Sequence, residues 1–146
     1  MHLYSEVKIL LVDNDKVFCD SFIKELKSSH QDFRMDIECS NKVEKKHSKM
    51  DLYIVSQKVN NIKECLNQIN FIRNNNLTSP IFVISNFKDF NFMKKLIKLK
   101  VSGFIDKDQM DLSSLAEQAI EIYDTRTKVC CLISKLNHLE SLNRVS

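Results

Sequence analysis

Residues 51–56 read Asp-Leu-Tyr-Ile-Val-Ser, and four apolar or aromatic side chains in a row need cover on both faces, as in a buried parallel strand. Residues 7–12 (Val-Lys-Ile-Leu-Leu-Val) and 81–84 (Ile-Phe-Val-Ile, introduced by Pro80) form two more such runs. Residues 33–39 alternate instead and predict an edge strand, and Phe104-Ile105 after Gly103 predicts a short last one. Apolar positions at three- and four-residue spacing fall between these strands. They are Val17, Phe18, Phe22, Ile23 and Leu26; then Ile62, Leu66, Ile69 and Ile72; then Phe90, Met93, Leu96, Ile97 and Val101; and finally Leu115, Ala119, Ile122 and Tyr123 on a helix starting near Leu112. Strands alternating with amphipathic helices predict an α/β fold, a five-stranded parallel doubly wound sheet.

One crossover breaks the pattern. Residues 41–50 carry Lys42, Lys45, Lys46 and Lys49, with Val43 as the only aliphatic core candidate, so the helix there is expected to be stunted or absent. At 146 residues and 43% apolar content the chain fits one domain, with residues 1–126 as its body and 127–146 as a helical extension. A net charge of +3 demands neither nucleic acid nor membrane, and neither partner is expected from this chain alone. Its five cysteines lack metal-type spacing and its four histidines are scattered, so a reduced, cytoplasmic protein without a structural metal is expected. Residues 1–7 lack the apolar run of a signal peptide or membrane span.

Each predicted strand but the edge one ends in a polar group: Asp13-Asn14, Ser56, Ser85 and Lys107. In open parallel sheets sites form at those carboxyl ends. The local matches Ile-Leu-Leu-Val-Asp-Asn-Asp at 9–15, Asp-Leu-Tyr-Ile-Val-Ser at 51–56, Pro-Ile-Phe-Val-Ile-Ser at 80–85 and Ser-Gly-Phe-Ile-Asp-Lys-Asp at 102–108, taken together, resemble the CheY-like receiver domains of bacterial response regulators. The resemblance covers residues 8–123. It implies a flavodoxin-like (βα)5 fold, a place in two-component signal transduction, and a histidine kinase or output protein as partner.

Carried over position by position, the resemblance aligns Asp13 with the first of the family's paired acids, while Asn14 stands where the second, a Mg²⁺ ligand, usually is. Ser56 stands at the phosphoacceptor aspartate, Ser85 at the hydroxyl that meets the phosphoryl group, Lys107 at the lysine that senses it, and Phe104 at the aromatic switch position. Asp108 replaces the proline common after the lysine, and residues 57–61 lack the usual Met-Pro and Gly.

Aspartyl phosphorylation needs a carboxylate nucleophile and a hard divalent cation held by carboxylate oxygens. Neither is provided, so no Mg²⁺, no other cofactor and no enzymatic activity are expected. Ser56 then reads as a small polar cap on a strand, and Asp13 and Lys107 as an ion pair filling a vestigial pocket closed by its own polar contacts. The expected function is a phosphorylation-independent receiver, a pseudo-receiver, acting as a protein-interaction or dimerisation module. Two alternatives are the receiver part of a DNA-binding transcriptional regulator whose output domain lies beyond this sequence, and a flavodoxin-like small-molecule-binding protein. A single glycine in the chain argues against the Gly-rich phosphate loops of the latter.

The carboxyl end adds its own signal. Val129, Leu132, Leu136 and Leu139 recur at three- and four-residue steps, with Leu115 and Ile122 two and one heptads earlier, as in a coiled-coil seam. The stripe is expected either to pair with a second copy in a homodimer or to fold back onto the domain.

Overall fold

The computed structural model describes residues 6–29, 34–57, 62–86, 89–108, 111–121, 123, 124 and 136. Ile122, Val129, Leu132, Leu139, the Cys130-Cys131 pair and loop residues 58–61 lie outside them. Of the proposed seam beyond residue 127 only Leu136 is described, and it is exposed.

The strands are β1 (Val7–Val12), β2 (Met35–Ser40), β3 (Leu52–Gln57), β4 (Ile81–Ser85) and β5 (Gly103–Asp106). They form one parallel sheet in the order β2-β1-β3-β4-β5. Helices α1 (Lys16–Ser29), α2 (Ile62–Asn75), α3 (Phe90–Lys98) and α4 (residues 112–121) connect them. The predicted doubly wound α/β architecture is the observed one. The sparse 41–50 crossover holds only a 3-10 turn, Lys45–His47, with Val43 buried as its one aliphatic contribution.

Each face of the sheet has its own core. Ile9, Leu11, Ile54 and Ile84 pack under Phe22 and Leu26 of α1 and Leu115 and Ala119 of α4. Leu10, Val12, Tyr53 and Val83 pack under Ile69 and Ile72 of α2 and Phe92 and Leu96 of α3. Full burial of side chains of this size contributes about 1.5–3 kcal/mol each, which is why β1, β3 and β4 are apolar on both faces while β2, at the edge, alternates.

Two helical stripes differ from the predicted ones. Val17 is 77% exposed on α1, and on α3 Phe90 and Ile97 are exposed while Phe92 and Leu96 are buried. With only nine residues in α3, two stripes compete. Asp89 decides between them by accepting the Phe92 N–H at 3.2 Å, which fixes the helix start and turns Phe92 inward.

Reversal of strand order between β1 and β3 makes their carboxyl ends the topological switch point, where sites form in open α/β sheets. No helix among the described residues is long and apolar enough to cross a membrane.

Candidate functional site

Parallel register pairs Val12 with Val55, so the next residues, Asp13 and Ser56, come side by side at the switch point. Register between β3, β4 and β5 likewise aligns Gln57, Ser85 and Asp106. The strand ends thus bring Asp13, Ser56 and Ser85 to one edge of the sheet, all of them buried. Asn14 is exposed. Phe104 is half-buried and meets Phe92 edge-on, ring centroids 6.3 Å apart, as a packing residue of the α3 core.

Local hydrogen bonding explains how Asp13 is held. Its Oδ1 accepts the Asp15 N–H at 2.9 Å, and Asp15 Oδ1 in turn accepts the Phe18 N–H at 3.2 Å, capping α1. One carboxylate oxygen therefore shapes the turn from strand to helix. Asp106 repeats the device after β5, accepting the Asp108 N–H at 3.0 Å. Thus Asp13 serves two ends: a backbone turn through Oδ1, and the interior of the site through Oδ2.

The expected closure by polar contacts is incomplete. Asp13 Oδ2, Ser56 Oγ and Asn86 Oδ1 are buried and have no hydrogen-bond partner. Nor does the expected Asp13–Lys107 ion pair form; the ion pairs among the described residues are Lys46–Glu44 and His47–Glu38. Lys107 hangs from Ser85, whose carbonyl accepts its backbone N–H at 3.0 Å, and its Nζ lies 4.2 Å from the centroid of the Phe18 ring. A half-exposed aromatic face accepts an ammonium without stripping its water, whereas a buried carboxylate would require that desolvation. Phe18 competes successfully for the lysine.

The donor set at this edge is therefore one carboxylate, Asp13, the hydroxyls of Ser56 and Ser85, and the amide oxygen of Asn86. A hard divalent cation takes several charged oxygens, and these residues do not fit it. Among the described residues no three His, Cys, Asp or Glu side chains come together as a metal-holding group. Thiol nucleophiles are also disfavoured. Burial, then the neighbouring Cys39 thiol, pushes the Cys19 thiol up, and burial pushes Cys65 up to about 12.

Three residues of this site escaped the sequence reading of its chemistry: Phe18 as the resting place of Lys107, Asn86 with its buried Oδ1, and Cys19, whose Sγ lies 3.8 Å from the Asp13 carbonyl. Phe18 had a signal, since it falls three residues after the helix-capping Asp15 and so faces back toward the strand ends.

No protein-family model matches the chain, and no curated protein matches it. Solved structures do. A response regulator receiver domain protein (CheY-like) from Methanospirillum hungatei superimposes with a TM-score of 0.68 at 16% identity, covering 85% of this chain and 98% of that one. An orphan response regulator of H. pylori gives 0.64 at 16% identity over 83% and 99% of the two chains. A response regulator from Thermotoga maritima gives 0.61 at 21% over 82% and 99%. The fold is that of CheY-like receiver domains.

Proposed function

We propose that this chain is a receiver-like signalling module that works without phosphorylation, through protein contacts made from one fixed state. The observation that carries this reading is Ser56: a fully buried neutral hydroxyl with no hydrogen-bond partner, at the strand end where a receiver's acceptor carboxylate stands. An unionised hydroxyl with no histidine base beside it among the described residues is a poor nucleophile toward a phosphoryl group. The ammonium that would meet the transferred group rests on Phe18 instead. Mg²⁺ is not taken up, because the inward donor set lacks the second and third carboxylates such an ion requires.

Exposure to acetyl phosphate or beryllofluoride with Mg²⁺, followed by intact mass and NMR, tests this directly. An unchanged mass and an unperturbed spectrum at Asp13, Ser56 and Lys107 are expected; a stoichiometric adduct overturns the reading. The same module pairs with a second copy through the stripe that includes Leu136, in the cytoplasm, with a kinase or an output protein as its signalling partner. Light scattering of the whole chain beside one ending at Asp124 should give a dimer and a monomer, and any other pair of results removes the extension's role.

A further inference from the structure

Helices α2 and α3 cover the same face of the sheet, and between them runs a groove of about 320 Å³ lined by Leu66, Asn67, Asn70, Lys95, Lys98 and Leu99. Its floor is apolar, from Leu66 and Leu99, both half-buried. Its α3 rim is basic, and its α2 rim carries the neutral Asn67 and Asn70. Lys95 and Lys98 are exposed three residues apart on α3, and on α2 exposed Lys63 precedes Asn67 and Asn70 at four- and seven-residue spacing along the same row.

The acids of these helices are engaged elsewhere. Glu64 accepts from Gln68 Nε2 at 2.6 Å, and Asp89 caps the start of α3. Neither Lys95 nor Lys98 has an ion-pair partner among the described residues. An apolar floor beside two adjacent unpaired ammonium groups is left with repulsion that an acidic occupant would cancel.

We infer that this groove is the docking site for an acidic amphipathic helix of a partner protein. One aliphatic or aromatic side chain enters between Leu66 and Leu99, and carboxylates three or four residues to either side meet Lys95 and Lys98. The volume sits at the low end for small-molecule sites, which are deeper and enclose most of their ligand, but it accepts a single large side chain. Lysines at i and i+3 match the spacing of carboxylates on one face of a helix, the arrangement in helix-in-groove recognition. This inference rests on the reading of the chain as a protein-interaction module and names the surface and the partner chemistry.

Selection of a displayed library of random short peptides on the whole chain tests it. Selected peptides should carry paired acids around a Leu, Ile or Phe, bind more weakly as salt rises, and lose about tenfold or more in affinity for K95E/K98E. Because both lysines are exposed, that variant should melt like the parent. Asn67→Trp, which fills the groove without changing its charge, should lose binding as well. Peptides without an acidic bias, peptides that bind both variants as they bind the parent, or a selection yielding no binder overturns the proposal. Such a failure leaves the acetyl phosphate result standing, and an adduct there leaves the groove result standing.

Discussion

At the amino ends of β3, β4 and β5 the Arg73 guanidinium donates to the carbonyls of Leu99, Ser79 and Lys100 at 2.8 Å and of Asn76 at 3.2 Å. At the carboxyl ends of β1, β3 and β4, Asp13 Oδ2, Ser56 Oγ and Asn86 Oδ1 find no partner. The contrast extends through the surrounding residues. Asn76 donates to Ser48 O and Ser79 Oγ and accepts from the Thr78 and Ser79 N–H groups, Ser79 Oγ donates to Met50 O, and the Tyr53 hydroxyl donates to the His47 carbonyl. His47 is itself buried, accepting the Glu44 N–H on Nδ1 and meeting Glu38 through Nε2 at 2.6 Å. One end of the sheet carries a dense hydrogen-bond network that holds the loops together, with Ser102 Oγ just before β5 left without a partner; the other keeps more of its buried oxygens unsatisfied. Polar groups left so at strand ends lower stability, and in α/β folds that is the end where sites are built.

The largest effect is expected from breaking the hydrogen-bonded end. Arg73→Met strands four carbonyls that close α2, α3 and the loop before β4, and should cost about 3 kcal/mol in urea unfolding. Arg73→Lys should recover less than half, since one ammonium cannot replace a planar fork reaching three segments. A loss below about 1 kcal/mol for Arg73→Met would show that the clamp is incidental and the contrast between the ends unreal.

The next experiment refills the unsatisfied end with charge. Asn14→Asp with Ser56→Asp should cost about 2 kcal/mol without metal, because a second carboxylate is buried beside Asp13. Millimolar Mg²⁺ affinity should then return, and with a Kd of about 1 mM, ion at 10 mM restores about 1.4 kcal/mol. Calorimetric titration decides it. A variant that folds yet shows no Mg²⁺ binding means that more than those two side chains separates the pocket from a working site.

Reversing the sign is a finer test. Ser56→Ala removes a buried hydroxyl that has no partner, so it should leave stability unchanged or raise it by up to about 1 kcal/mol, against a typical loss for a buried substitution. A loss above about 1 kcal/mol would place a satisfied hydroxyl at Ser56 and remove the contrast.

Much of this contrast could not be read from residue order. The buried strands were legible because β1, β3 and β4 are covered on both faces and show it as continuous apolar runs. Positions of Asp13, Ser56, Ser85 and Lys107 at one sheet edge followed from strand ends alone. Which way Lys107 points did not, because Asp13 and the Phe18 ring both attract an ammonium and only geometry chooses between them. Arg73 was illegible for a different reason: a lone arginine near a helix end looks like a solvated charge, and its partners are carbonyls, which every residue has. The exposed Phe90 and Ile97 mimic a core stripe at helical spacing, so periodicity alone assigned them inward.

The smallest expected effect lies at the hydrogen-bonded end, in the one strained backbone position among the described residues. Lys100 has φ of 59°, a left-handed conformation that glycine adopts freely and a residue with a Cβ adopts at a cost of about 1 kcal/mol. The chain tolerates it because the surrounding bonds define the turn: Lys100 N–H donates to Ile97 O at 3.0 Å and Val101 N–H to Leu96 O at 3.1 Å, closing α3, while Val101 packs in the same core as Leu96. Lys100→Gly keeps both bonds and the carbonyl that receives Arg73, and removes the strain. Greater freedom of glycine in the unfolded chain offsets part of the gain. A net stabilisation of about 0.5 kcal/mol should remain, read as a higher urea midpoint at unchanged slope. In an Arg73→Met background the gain should shrink, because the bonds that force the left-handed turn are then fewer and lysine can relax out of it. Equal gains in both backgrounds would show that helix closure alone sets the Lys100 conformation and that the clamp does not reach it.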